Sequence, residues 1–154
     1  MRSLVVVALL VAVPLTAALA PAQTPTPTPA AAAARTPSPP GAEVYIISPK
    51  DGAKVHNPVV VQFGLKGMGI APAGVKFDNT GHHHLLIDTD PPADMSLPLP
   101  ATDKIVHFGK GQTVTTLTTL TPGKHTLQLL LGDMNHIPHQ PPVISKKITI
   151  TVAK

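Results

Sequence analysis

From residue 43 onward the chain alternates between short β-branched runs and breaks rich in Gly and Pro. "EVYIISP" (43–49) stops at a Pro, and "PKDG" (49–52) is a turn by composition. In "PVVVQFGLKG" (58–67) Val59, Val61 and Phe63 alternate with other positions, the period of a strand with one buried face. "MGIAPAGVKFDNTG" (68–81) is a punctuated loop, and "HHHLLID" (82–88) returns to a strand pattern. "TDPPADMSLPLPATD" (89–103) is a Pro-rich loop placed to cover a sheet edge. "KIVHFGKGQTVTTLTTL" (104–120) holds one short and one longer extended run, and "TPGK" (121–124) is a turn. "HTLQLLLGD" (125–133) puts Leu127, Leu129 and Leu131 on one face of a central strand; "MNHIPHQPP" (134–142) is a loop; "VISKKITITV" (143–152) is a last strand.

About seven short strands with turns every roughly 8–12 residues predict an all-β, antiparallel β-sandwich of the immunoglobulin-like or fibronectin-III-like kind. The layout "LTPGKHTLQL" supports this, because it matches the corner before strand F, where His125 stands in place of the usual Tyr. The strands are then A 43–48, B 58–65, C 82–88, E 113–120, F 124–131 and G 143–152. Consecutive strands run antiparallel in such a sandwich. The end of B, the starts of C, E and G, and the end of F therefore share one pole.

That topology gathers His82, His83, His84, His107, His136 and His139 at one pole, together with Asp133 and Met134. His56, in a turn, and His125, the corner residue, fall at the other pole. Imidazoles arriving from separate strands are ligands for copper, zinc or nickel. His82 and His84 share one strand face, so a site built from them with His136 and His139 is expected. His83 has the parity of Leu85 and Ile87, which suits inward packing. Copper is favoured over zinc, since it leads the affinity order at nitrogen sites and a Met134 thioether would suit Cu(I). The alternatives are a hydrogen-bonded network bracing long loops, or a ligand other than a metal. Titration of clustered imidazoles near neutrality would also make this pole a pH sensor. Met68 and Met95 are read as gap fillers.

Composition narrows the setting. The first residues, "MRSLVVVALLVAVPLTAALAPAQ", carry Arg2, an apolar run and an A-x-A site at Ala20-Pro21-Ala22, the marks of a secretory signal peptide over residues 1–22. The alternative is a retained anchor, though Pro14 and the marginal length disfavour spanning. Residues 23–42, "QTPTPTPAAAAARTPSPPGA", have one charge and no apolar period; they are expected to be a disordered linker before a domain at 43–154. A periplasmic or secreted location follows, with no membrane span after cleavage. There is no Cys, hence no disulfide and no thiolate ligand. Removing Arg2 takes the net charge from +4 to +3, with no basic cluster, which argues against nucleic-acid binding.

Enzymatic chemistry has little support. There is no nucleophile elbow, Glu43 is the sole Glu, and the aspartates form no evident pair. A metal-dependent enzyme with an open coordination position stays as one alternative. The leading expectation is a non-enzymatic, exported metal-binding protein serving copper storage, delivery or resistance. A second is a protein-interaction or adhesion module on a Pro-rich stalk, with a periplasmic protein partner and a structural His network.

The segments "ISPKDGAKV", "VQFGLKGMGIAPAGV", "NTGHHHLLID", "HFGKGQT", "LTPGKHTLQLLLGD" and "HIPHQPPVISKKITITV" together resemble a bacterial family of exported small domains, domain-of-unknown-function family 4399. The resemblance runs from about Val44 to Val152. It implies an exported domain with these boundaries and no particular activity. It also implies that a thioether at Met134 is not a general requirement.

Overall fold

A computed structural model describes residues 35–154. The expected signal segment (1–22) and most of the expected linker lie outside the described residues. Among the described residues there are nine strands and no helix: β1 (Glu43–Ser48), β2 (Lys54–Val55), β3 (Val59–Lys66), β4 (Gly69–Ile70), β5 (Thr80–Ile87), β6 (Ile105–His107), β7 (Val114–Leu117), β8 (Gly123–Gly132) and β9 (Ile148–Val152). They form a three-stranded sheet, β1-β3-β7, and a six-stranded sheet, β2-β9-β8-β5-β4, with β6 on the same edge of β5 as β4. Strands A, B and E thus share one sheet and C, F and G the other, the partition of an immunoglobulin-type sandwich.

Alternation along the strands builds the core. Val59, Val61 and Phe63 of β3 face Leu85 and Ile87 of β5 and Leu127, Leu129 and Leu131 of β8, with Val44, Ile150 and Val152 completing the layer. Each such buried side chain contributes about 1.5–3 kcal/mol.

The six-stranded sheet is covered on its outer face as well. Leu86 and Leu130 point away from the sandwich and pack with Leu99, Ile105, Met95 and Ile144 in a second, smaller core. The Pro-rich loop 89–104 therefore covers a sheet face, not an edge as its composition suggested. The physical reason is that two leucines on adjacent strands, β5 and β8, face outward and need an apolar cover. Strand G is also shorter than expected. Ile144 bridges Leu130, but at Ser145 the hydroxyl takes the N–H of Leu129 at 2.8 Å, and regular pairing resumes only at Ile148.

The corner assignment of His125 holds. Its Nε2 donates to the Thr121 carbonyl at 2.7 Å, as the corner hydroxyl does in related sandwiches, and its Nδ1 bonds Asp88 Oδ2 at 2.6 Å. Burial draws the His125 pKa down, but the Asp88 hydrogen bond, the Thr121 carbonyl and the Asp88 charge outweigh it and leave it raised. His56 is exposed in its turn, as expected.

A raised pKa gives stability that is present below the unfolded value, 6.5, and lost as pH rises through the folded value. Replacing His125 with Ala should cost about 1–3 kcal/mol at about pH 6, where the imidazolium bonds both acceptors. The gap in urea midpoint between wild type and His125→Ala should then narrow toward about pH 9. A constant gap would mean the ring contributes by packing alone.

Candidate metal centre

The register of β5 decides where each histidine goes. His82 lies opposite Gly132 of β8, and His84 opposite Leu130, on the outer face. His84 is also the cross-strand partner of His107 in β6, which brings His107 to the same face. His136 reaches the cluster from the β8–β9 loop. There the chain folds back, Gly132 bridging Pro138, and His136 takes a left-handed conformation with φ of 67°. Such a backbone costs roughly 1–2 kcal/mol for a side-chain-bearing residue, and its occurrence at a cluster of functional groups is notable.

Four imidazoles converge. Ring centroids stand 4.8 Å apart for His82–His84, 4.9 Å for His82–His107, 5.0 Å for His82–His136 and 4.5 Å for His107–His136. His84 stacks on His107 at 5.1 Å. His82, His107 and His136 each bring one ring nitrogen within 4.8 Å of the other two, a triad able to hold a metal ion. The Nε2 atoms of His107 and His136 are 3.1 Å apart. With metal–nitrogen bonds of about 2.0–2.1 Å, two ligands of a tetrahedral ion stand about 3.3 Å apart, so this pair already has nearly that spacing.

Glycines make the room. A β-carbon on Gly109 would fall 2.3 Å from His107 Cε1, and one on Gly132 would fall 2.8 Å from His84 Cε1. Neither glycine has a positive φ, so the requirement is space for the rings, not backbone freedom.

His82 and His84 are fully buried, and neither ring nitrogen of either has a hydrogen-bond partner. Four buried, unsatisfied imidazole nitrogens on adjacent positions are costly, about 1–3 kcal/mol each. Burial pushes the His82 pKa down to about 4, helped by His107 and His136 and opposed by Asp133. Burial, then His82, His107 and His136, hold His84 at about 3, opposed by the His82 backbone. Burial and His136 lower His107. Near neutrality these imidazoles are therefore uncharged, the form that ligates metals.

The remaining expected site residues lie elsewhere. His83 turns inward, its ring 5.1 Å from Phe63 and its Nδ1 3.3 Å from the Gln112 carbonyl. His139, expected beside His136, is on the inner face: a β-carbon on Gly81 would stand 2.9 Å from His139 Cε1, and its Nε2 bonds the Thr80 carbonyl at 3.2 Å. The tight turn at residues 133–137 separates the two, and His107 takes the fourth place instead. Asp133 is a loop brace. Its Oδ1 accepts the N–H groups of Asn135 at 2.9 Å and Ile137 at 3.0 Å, and its Oδ2 accepts the Thr36 hydroxyl at 2.6 Å. Met134 is half-buried and lines a separate cavity of about 560 Å³ with Arg35, Val75 and Phe77.

The fold and this site define a β-sandwich with a cluster of four histidines on the outer face of one sheet. The family model for a domain of unknown function (DUF4399) matches residues 61–153, all four clustered histidines included, and the chain belongs to that family. No curated protein and no solved structure matches the chain.

The depressed values of His82 and His84 set the sign of an acid effect. The unfolded chain takes up protons below 6.5, while the folded pocket resists until about 4 and about 3, so stability falls as pH drops through that window. Melting temperature of the metal-free protein should be lower at about pH 5 than at about pH 7, each of the two histidines removing on the order of 1–2 kcal/mol of stability. A flat profile from about pH 5 to about pH 8 would show that the folded pocket accepts protons freely and would end the pH-sensor reading.

Proposed function

We propose that this domain is an exported binder of a first-row transition metal, held by His82, His107 and His136 with His84 beside them. The observation that carries it is the set of four unpartnered ring nitrogens on His82 and His84, fully buried against the rings of His107 and His136. An ion would take one nitrogen of His82 together with one each from His107 and His136. The donor set is all nitrogen, since Met134 lines another cavity and Asp133 is committed to its loop. Copper is preferred because it leads the affinity order at such sites; zinc fits the same geometry. Storage, delivery or resistance are the roles that suit a carrier. Periplasmic or secreted location is supported by the N-terminal signal pattern.

A second reading, a protein-interaction module, draws on the outer face of the three-stranded sheet, where Tyr45, Ile47, Val60 and Val114 are exposed at 40–50%. A metalloenzyme is the third: a three-histidine ion with an open position activates water.

Calorimetric titration of metal-stripped protein with Cu(II), Cu(I), Zn(II) and Ni(II) tests the proposal. One tight equivalent is expected, lost in His82→Ala/His84→Ala and in His107→Ala/His136→Ala, and retained in His139→Ala. Gly109→Ala should weaken it by displacing the His107 ring. Metal at a hundredfold excess over Kd should add about 2.7 kcal/mol of stability. Absence of saturable binding would leave the interaction module as the better reading.

A further inference from the structure

The geometry points to residues 35–38 as a strap that positions His136, so that strap docking and metal occupancy are linked; the linkage rests on the metal reading above. These residues fall in the stretch expected to be free linker, and outside the segment that matches the family. They are instead tied to the β8–β9 loop. The Ser38 N–H donates to the Gln140 carbonyl at 3.0 Å and the Gln140 N–H to the Thr36 carbonyl at 2.9 Å, giving a parallel bridge at Pro37. The Ser38 hydroxyl donates to the Pro141 carbonyl at 2.8 Å. Arg35 donates to the carbonyls of Pro138 and His139 and to the Gln140 side chain.

The loop needs these donors. Pro138, Pro141 and Pro142 have no N–H, so this part of the loop cannot build a ladder of its own. Arg35 is the lone charged residue between Arg2 and Glu43, and it serves the carbonyls that follow His136.

Thr36 is the link to the site. Its hydroxyl holds one oxygen of Asp133, whose other oxygen holds the N–H groups on both sides of His136. The His136 N–H in turn donates to the Asp133 carbonyl at 2.9 Å. Asp133 therefore fixes the left-handed turn that presents the His136 ring, and Thr36 fixes Asp133. Thr36 is a positioning residue, acting through Asp133 and touching no ion. Linkage is reciprocal: whatever the strap adds to metal affinity, metal adds to strap docking.

The test uses the full chain as wild type, Thr36→Val and Thr36→Ser. Cu(II) and Zn(II) affinities are measured by calorimetry. Amide exchange of the metal-free proteins is followed at Asn135 and Ile137, with Thr126, anchored on Asp88, as control. Trypsin cleavage after Arg35 is timed by mass spectrometry with and without metal. Thr36→Val should bind metal about 10-fold to 100-fold more weakly, as loss of a group that orients a ligand does, while Thr36→Ser stays near wild type. Exchange at Asn135 and Ile137 should quicken in Thr36→Val alone, with Thr126 unmoved. Metal should slow cleavage after Arg35 in the wild type. Wild-type affinity and wild-type exchange in Thr36→Val would overturn the strap. Metal binding without any protection of Arg35 would overturn the linkage while the metal reading stands. A wild type that takes up no metal would overturn the metal reading and the linkage with it, and the exchange rates would still decide whether Thr36 positions the loop.

Discussion

The pairing of β5 with β8 in one register is the constraint on which the pocket depends. Opposing His82 to Gly132 and His84 to Leu130 sends two imidazoles to the outer face and leaves His83, Leu85 and Ile87 for the core. A slip of one residue would exchange the faces, placing two histidines among the leucines and one outside. The slip is opposed from both sides of the sheet. Leu85 and Ile87 are locked into the sandwich, and Leu86 into the smaller core beneath the Pro-rich loop. Gly132 then supplies the space into which the His84 ring turns.

The same double coverage sets the chemistry. An antiparallel sheet commonly leaves its outer face to water, where imidazoles are hydrated and titrate normally. Here loop 89–104 and the β8–β9 loop close over that face, and the Leu99 N–H donates to the His136 carbonyl at 2.9 Å, joining the two covers. Burial removes water from His82 and His84 without replacing its hydrogen bonds. Burial is thus the largest cause of their depressed pKa values and the reason their nitrogens are orphaned.

Much of this was legible in the chain. Period-two alternation located β1, β3, β5, β8 and β9, and the Pro-Gly-Lys-His corner gave the topology that gathered the histidines. Parity separated His83 from its neighbours correctly. Three things were not legible. Parity carries no information inside a loop, so His136 and His139, three apart, looked equivalent until the turn built on Asp133 sent them to opposite faces. The cross-strand pairing of His84 with His107 depends on a three-residue strand, too short to declare its partner. The strap at residues 35–38 was hidden for a different reason. Its sequence is Pro-rich with no apolar period, and what orders it is the acceptors of another Pro-rich segment about a hundred residues away in sequence.

The three adjacent histidines of β5 carry an internal comparison. They share a strand, a depth and a composition, and all are completely buried. His83 answers burial as a structural histidine does, with an aromatic neighbour and a carbonyl for one nitrogen. His139 does the same with the Thr80 carbonyl, and His125 satisfies both nitrogens. His83 Nε2 and His139 Nδ1 still go without a partner, so the contrast is one paired nitrogen against none. His82 and His84 have none, and the groups nearest them are two further imidazoles, His107 and His136. Three of those four rings bring nitrogens within 4.8 Å of one another, a spacing able to hold a shared cation.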